Sequence, residues 1–176
     1  NYWIPALLYE PTGVTEPVPT VLNPNGHHPG GKAVEYKQAR CINLAKRGMI
    51  ALSFEFIGMG ELESDARHNE FSYLDWTGQA GVGLHYLAMK KGLDVLLNHP
   101  HADTSRVAMT GLSGGAWQTI ILSALDPRIT VSVPVAGYTS VRARVGCLED
   151  IGDLEQTPPD MLTVADYDTM TAMLAP

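Results

Sequence analysis

The 176-residue sequence has few cysteines and no long apolar run. Its two cysteines, Cys41 and Cys147, are too few for a disulfide framework or a cysteine-based zinc site. No stretch approaches the roughly 18 to 20 consecutive apolar residues that a membrane-spanning helix needs. The first residue is Asn, and no charged start followed by an apolar segment marks a signal peptide. We therefore predict no membrane partner.

The sequence also lacks a run of basic residues. Its formal net charge is -7 at pH 7, which argues against nucleic acid and anionic membranes as partners. A hydrophobic content of 45% with 18% charged residues is ordinary for a globular protein. The length favours a single domain over residues 1–176, with no internal repeat.

Strand and helix patterns alternate along the chain, which predicts a mostly parallel sheet covered by helices. The predicted strands cover residues 2–9, 20–23, 49–54, 106–110 and 129–135. The predicted helices cover residues 34–47, 75–97, 114–125 and 164–174. Pro5 places the first strand near the edge of the sheet, because proline cannot donate a ladder hydrogen bond. Residues 137–159 read as an acidic loop region.

Residues 111–115 read Gly-Leu-Ser-Gly-Gly and fit the pattern G-x-S-x-G of a nucleophile elbow. The pattern is weak alone, but here it lies between a predicted strand and a predicted helix, which is the context that supports it. Ser113 is therefore the candidate nucleophile, and a buried serine in a plain strand-to-helix turn is the alternative. The N–H of Gly114, at the start of the next helix, is a candidate oxyanion donor.

A second glycine-rich segment follows the second predicted strand. Residues 23–31 read Asn-Pro-Asn-Gly-His-His-Pro-Gly-Gly, and their position in the chain suits a loop that supplies the other oxyanion N–H. His27 or His28 would provide that donor. The adjacent pair His27 and His28, and the pair His99 and His101, come with no Cys or carboxylate at a recognised spacing, so we predict no metal site and no cofactor.

With these residues in view, the chain resembles the α/β-hydrolases, specifically the bacterial acetyl xylan esterase-like branch related to dienelactone hydrolases. The stretches that carry the resemblance are NGHHPGGK at 25–32, GMGE at 58–61, DTSRVAMTGLSGG at 103–115 and VPVAG at 133–137. The resemblance implies an α/β-hydrolase fold, a mostly parallel sheet with helices on both faces. It also implies a Ser-acid-His triad and hydrolysis of carboxylic esters, often acetyl groups on carbohydrates, which somewhat favours an extracytoplasmic location.

The sequence departs from this family pattern after the elbow. In the fold, the acid and the histidine follow the serine, yet all six histidines of this chain precede Ser113. His99 and His101 precede a strand and are therefore expected at the edge of the sheet opposite the site. His85 lies within a predicted helix and is expected to be a partly buried packing residue. We therefore expect the last strands of the fold, with the base, to be missing from this chain or held on another polypeptide. An atypical or absent base is the alternative.

The sequence does not identify the catalytic acid either. Glu149 and Asp150 are the candidates, and Asp153 and Glu155 occupy the same acidic stretch. The alternative interpretation of this stretch is a solvated surface loop.

The sequence thus predicts a serine esterase acting on a small-molecule or carbohydrate ester. Alternatives are a glucuronoyl esterase or peptidase, and a non-catalytic binding or interaction module. An incomplete sheet would expose an apolar edge, so we expect these residues to pair with the remainder of a hydrolase or to self-associate.

Overall fold

A computed structural model describes residues 2–65, 67–137, 139–147 and 153–174. Within these ranges one five-stranded sheet has the order β1-β3-β2-β4-β5. All neighbouring strands are parallel except the pair β1 and β3, which is antiparallel. The strands are β1 Ala6–Tyr9, β2 Val18–Pro24, β3 Ile50–Phe54, β4 Ala102–Leu112 and β5 Val131–Val135.

Helices connect the parallel strands and cover both faces of the sheet. The helices are α1 Glu35–Lys46, α2 Ser72–Trp76, α3 Gly81–Leu97, α4 Gly114–Leu125, α5 Val141–Gly146 and α6 Tyr167–Ala172. From β2 the chain moves by α1 towards one edge, and from β3 it returns by α3 across β2. Because such crossovers are right-handed, α1 lies on one face and α3 and α4 lie on the other. The predicted α/β architecture is confirmed.

The edge position of the first strand is also confirmed, although the strand is shorter than predicted. β1 begins at Ala6, after Pro5, and pairs only with β3 in the described part of the chain. The carbonyl of Pro5 still accepts a hydrogen bond from the N–H of Glu55 (2.9 Å). Proline can accept such a bond but cannot donate one, so the regular ladder begins one residue later.

The predicted helix over 75–97 is two helices, and this prediction was wrong. Gly78 has φ +73°, a left-handed conformation that ends α2, and α3 begins only at Gly81. The acidic stretch also holds a helix that the sequence pattern did not indicate. The side chain of Ser140 accepts a hydrogen bond from the N–H of Ala143 (3.1 Å) and caps α5, which is too short for a periodic signal.

The C-terminal segment packs on the core. The ring of Tyr167, in α6, is buried, and its hydroxyl accepts a hydrogen bond from the indole N–H of Trp117 in α4 (2.7 Å). The same hydroxyl donates to the carbonyl of Gln156. These bonds fix residues 153–172 against α4, beside the carboxyl ends of the strands. In the described ranges no helix has the length and apolar character needed to cross a membrane.

Candidate active site

Ser113 lies at a sharp turn between the last residue of β4 and the first residue of α4. Its backbone has φ 56° and ψ -121°, a conformation that residues with a side chain rarely adopt. Its N–H donates to the carbonyl of Val135 in β5 (3.0 Å), which ties the turn to the neighbouring strand. The residue is exposed, and its hydroxyl has no hydrogen-bond partner among the described residues. This is the geometry of a nucleophile elbow.

The glycines around Ser113 are required by close backbone contacts. A Cβ on Gly111 would lie 2.4 Å from the carbonyl oxygen of Gly115, and a Cβ on Gly115 would lie 2.5 Å from the carbonyl oxygen of Pro24. A Cβ on Gly26 would lie 2.9 Å from the nitrogen of Gly114. The turn and the loop after β2 are therefore pressed together with no room for side chains.

The loop after β2, residues 25–31, is held by buried side chains on three sides. The amide of Asn25 donates to Ser53 Oγ (2.9 Å) and to the carbonyl of Phe54 (2.6 Å). Gln118 Nε2 donates to the carbonyl of Asn25 (2.6 Å), and Lys37 Nζ donates to the carbonyl of Gly26 (3.1 Å). Burial lowers the pKa of Lys37 to about 8. These buried side chains hold the loop in place, since each of the two carbonyls accepts a hydrogen bond from one of them.

A buried carboxylate holds the other end of this loop. Glu55 Oε1 accepts from the backbone N–H of Lys32 (2.8 Å), and its Oε2 lies 3.2 Å from Lys32 Nζ. Lys32 also pairs with Glu61. Glu55 is 1% exposed, and Gly31 and Gly60 leave the space that its carboxylate fills. The sequence pattern gave no sign of this contact, because its two ends are 23 residues apart.

Two backbone N–H groups close to Ser113 are free of hydrogen-bond acceptors in the described part of the chain. Gly114 is the first residue of α4, so its N–H has no acceptor within the helix. The N–H of His27 makes no hydrogen bond within the described part of the chain. The His27 ring lies against the turn, since a Cβ on Gly114 would lie 2.8 Å from His27 Nδ1. His28 is exposed, and its Nδ1 accepts from the N–H of Gly30 (3.0 Å).

His27 belongs to a cluster of four side chains from three separate segments. His27 Nε2 lies 3.1 Å from His68 Nε2 and 3.1 Å from Glu155 Oε1. His68 Nε2 lies 3.2 Å from Glu155 Oε2, and Asp153 lies 3.5 Å from His27 and 3.4 Å from His68. Burial lowers the pKa of His27, but Glu155 and Asp153 outweigh burial and the net shift is upward. We call these residues the His-carboxylate cluster.

The structure revises several expectations about charged residues. The interpretation of the acidic stretch as a solvated loop is wrong for Glu155, which is fully buried. Glu149 and Asp150, the candidate acids, lie outside the described residues. His99 precedes β4, as expected, and pairs with Glu10 (2.9 Å) away from Ser113.

His85 is buried, as expected, within 4.5 Å to 5.5 Å of the Phe56, Phe71 and Trp117 rings, measured between centroids. The sequence patterns did not single out His68 and so missed its contact with His27. The available signal was its position after β3, whose carboxyl end meets that of β2 at one sheet edge.

A cleft of about 840 Å³ opens beside the cluster. His68, Arg67 and Glu63 are the charged or titratable residues that line it. The remaining lining residues are Pro29, Gly58, Met59, Gly60 and Ser64. The cleft is large enough for a sugar-sized group next to the loop after β2.

Several known proteins are similar to this chain in sequence or in structure. The hydrolyase poxO of Penicillium oxalicum is 33% identical over 138 residues, which cover 77% of this chain and 30% of that protein. The structure of methylesterase BT1017 matches with a TM-score of 0.77 and 25% identity over 98% of this chain and 37% of its own. A candidate acetyl xylan esterase from Bacteroides fragilis matches with a TM-score of 0.79 and 21% identity, over 97% of this chain and 53% of its own.

The chain therefore spans about a third to a half of the length of these proteins. The sequence model of the acetyl xylan esterase (AXE1) family matches residues 1–154. Together with the sheet order and the turn at Ser113, this match shows that the chain belongs to the acetyl xylan esterase family of α/β-hydrolases.

Proposed function

We propose that this chain carries the nucleophile and oxyanion hole of a serine carboxylic-ester hydrolase that removes acetyl groups from carbohydrate esters. The observation that carries the proposal is the backbone of Ser113, which holds an exposed hydroxyl on a sharp turn at the carboxyl edge of the sheet. The Ser113 hydroxyl would attack the ester carbonyl, release the alcohol and form an acyl-enzyme that water hydrolyses.

The oxyanion of this reaction would be stabilised by two backbone N–H groups. Gly114 supplies one from the start of α4. The contact of the Gly26 backbone with Gly114 supports His27, the next residue, as the second donor rather than the exposed His28. Loss of one such donor raises the barrier by about 3 to 4 kcal/mol, so the packing of this loop matters as much as the serine.

The base that activates Ser113 is the remaining component. His27 and His68 lie near the turn, but both face the carboxylates of the His-carboxylate cluster, and neither bonds to the Ser113 hydroxyl. We expect the base to come from residues other than the described ones.

Imidazole added in solution can replace a missing histidine base. It should therefore increase hydrolysis by the wild-type chain, whereas Ser113→Ala should show no increase above the reaction of imidazole in buffer alone.

The nucleophile is tested with p-nitrophenyl acetate on the wild-type chain, Ser113→Ala and Ser123→Ala. Ser123 is a buried serine in α4, the helix that follows Ser113, and controls for a general effect on folding. We expect Ser113→Ala to abolish the hydrolysis that imidazole stimulates in the wild-type chain, and Ser123→Ala to retain it. A fluorophosphonate ester should label the peptide containing Ser113. Equal rates for wild type and Ser113→Ala, with and without imidazole, would show that Ser113 is not the nucleophile.

The nature of the ester is a second question. Arg67, which lines the cleft together with Glu63, would pair with an acidic group of a sugar, and one of the similar solved structures is a methylesterase. The alternative is therefore hydrolysis of methyl esters on an acidic carbohydrate. Acetylated xylan and methyl-esterified pectin as substrates, with acetate and methanol measured separately, distinguish the two reactions.

A further inference from the structure

The side chains of the His-carboxylate cluster do not complete one another's hydrogen bonds. Glu155 is fully buried, and neither of its carboxylate oxygens has a hydrogen-bond partner among the described residues. Both oxygens nevertheless lie 3.1 to 3.2 Å from a histidine nitrogen. The nitrogens approach without the alignment that an N–H bond needs. A buried carboxylate without hydrogen bonds is costly, which indicates that another group belongs here.

The two histidines lead to the same conclusion. Their Nε2 atoms lie 3.1 Å apart, so at most one of them can point a proton at the other. The opposing atom must offer a lone pair. Two neutral imidazoles and two carboxylates together carry two negative charges, which one divalent cation would neutralise.

From these contacts, the geometry points to a binding site for a divalent transition metal, with Zn²⁺ the best fit, formed by His27, His68, Asp153 and Glu155. One ligand atom from each residue lies within 4.8 Å of the others. Four ligands at about 2.0 to 2.1 Å from a tetrahedral metal lie about 3.3 Å from one another. The two Nε2 atoms lie 3.1 Å apart, and each lies 3.1 to 3.5 Å from one oxygen of Asp153 and one oxygen of Glu155. The two histidines approach different oxygens of each carboxylate, so both carboxylates would turn to present a single oxygen to the metal.

The donor set selects among metals. Two imidazole nitrogens with two carboxylates suit Zn²⁺ and its neighbours, whereas Ca²⁺ and Mg²⁺ prefer six or more oxygen ligands. Gln156 Nε2 donates to Asp153 Oδ2 (3.2 Å), which orients that ligand. Asp153 is 44% exposed at its side chain and gives the ion a path from solvent.

The site has a structural role because all four tetrahedral positions are filled by protein. It joins the loop after β2, the His68–Phe71 turn and the Leu154–Gln156 turn at one point. The metal would hold the His27 backbone beside Gly114. The sequence pattern predicted no metal here, because the ligands are spread over 128 residues and no pair shows a recognised spacing.

Metal binding is measured on the untagged chain after EDTA treatment and exchange into metal-free buffer. Titration with ZnCl₂ should show one equivalent bound and a rise in Tm. Glu155→Gln should weaken Zn²⁺ binding by at least about 100-fold, while His99→Gln, a histidine outside the cluster, should bind as wild type does. Zinc binding that is absent from the wild-type chain, or equal in Glu155→Gln, would overturn the site.

A second measurement covers the case in which Glu155→Gln fails to fold. Wild-type chain loaded with Co²⁺ should show the strong visible absorption of four-coordinate cobalt, and the weak spectrum of six-coordinate cobalt would contradict the site. The proposal does not rest on the esterase reaction. Ser113→Ala should bind Zn²⁺ like wild type, so failure of the nucleophile and failure of the metal site are distinguishable.

Discussion

Ser113 holds a backbone conformation that costs free energy in a residue with a side chain, typically about 1 to 3 kcal/mol. Glycine adopts this conformation without strain but gains entropy in the unfolded chain. We therefore expect Ser113→Gly to raise the free energy of unfolding by about 1 kcal/mol, measured by urea denaturation, while it removes esterase activity.

Ser113→Ala is the matched control because it also removes the hydroxyl but keeps Cβ. It should leave the free energy of unfolding within about 0.5 kcal/mol of wild type. Equal stability of the two variants would mean that the strain at this residue is not relieved by glycine.

His85 should make the protein sensitive to acid. Burial, with smaller contributions from His68 and His27, lowers its pKa from 6.5 to about 3. Between these values the unfolded chain takes up a proton that the folded chain does not, so stability is present above pH 6.5 and decreases as the pH falls towards 3. From pH 7 to pH 4.5 the contribution of His85 should fall by roughly 2 to 3 kcal/mol.

The test compares wild type with His85→Phe by urea denaturation across this pH range, in EDTA. Phenylalanine cannot take up a proton and suits the neighbouring rings of Phe56, Phe71 and Trp117. The difference in stability between the two proteins should therefore shift in favour of the variant as the pH falls. A constant difference would show that His85 titrates normally when folded.

At the residue scale, the sequence predicts the place of a residue in a local motif, but it does not predict which charged side chains are buried. The turn at Ser113 follows from five consecutive residues between a strand and a helix. Glu55 and Glu155 are buried because of partners 23 and 128 residues away, and a carboxylate in a polar stretch gives no local sign of either. His27 and His68 are also distant in sequence, 41 residues apart, so their contact gave no local sign either.

At the scale of elements, the junction between β4 and α4 depends on glycines that make backbone contact. Gly115→Ala would place Cβ 2.5 Å from the carbonyl oxygen of Pro24, and neither backbone segment can move independently. We expect Gly115→Ala to lower the free energy of unfolding by about 1 to 3 kcal/mol, and to lower esterase activity by displacing the loop after β2. Urea denaturation and p-nitrophenyl acetate hydrolysis measure the two effects.

Gly83, in α3, provides the opposite case. A Cβ there would meet no atom within 4 Å, and its backbone is helical, so Gly83→Ala should stabilise the protein by up to about 1 kcal/mol. If Gly115→Ala were as stable as Gly83→Ala, the close contact between the turn and the loop would be disproved.

The same elements show why sequence patterns place strands better than helix ends. The strands contain short apolar stretches bounded by turn residues, so all five were predicted, with ends shifted by up to four residues. The apolar spacing of the 75–97 stretch continues across Gly78, but the left-handed backbone at Gly78 and the extended backbone at Ala80 separate α2 from α3. A six-residue helix such as α5 is shorter than two turns and leaves no periodic pattern to detect.

At the scale of the whole molecule, the parallel sheet was predictable because strands and helices alternate, and right-handed crossovers restrict the order of the strands. This order brings the carboxyl ends of β2, β3 and β4 to one edge, where the three loops of the site meet. Which side chains of those loops touch was not predictable, since it depends on how the segment 153–156 folds back under Tyr167.

The outer strand of the sheet carries the last prediction. Val131, Val133 and Val135 on β5 are 54%, 50% and 45% exposed, and the strand pairs only with β4 in the described part of the chain. An uncovered apolar edge strand pairs readily with another chain. We expect the 176-residue chain to self-associate with increasing concentration, as measured by light scattering after size-exclusion chromatography.

Val133→Lys should reduce this association, because a charge in the middle of an edge strand opposes pairing. Val95→Lys is the matched control, since Val95 is 52% exposed on α3, away from the edge. It should leave the association unchanged. A wild-type chain that stays monomeric at all concentrations, or equal association of both lysine variants, would mean that β5 is not the surface through which copies meet.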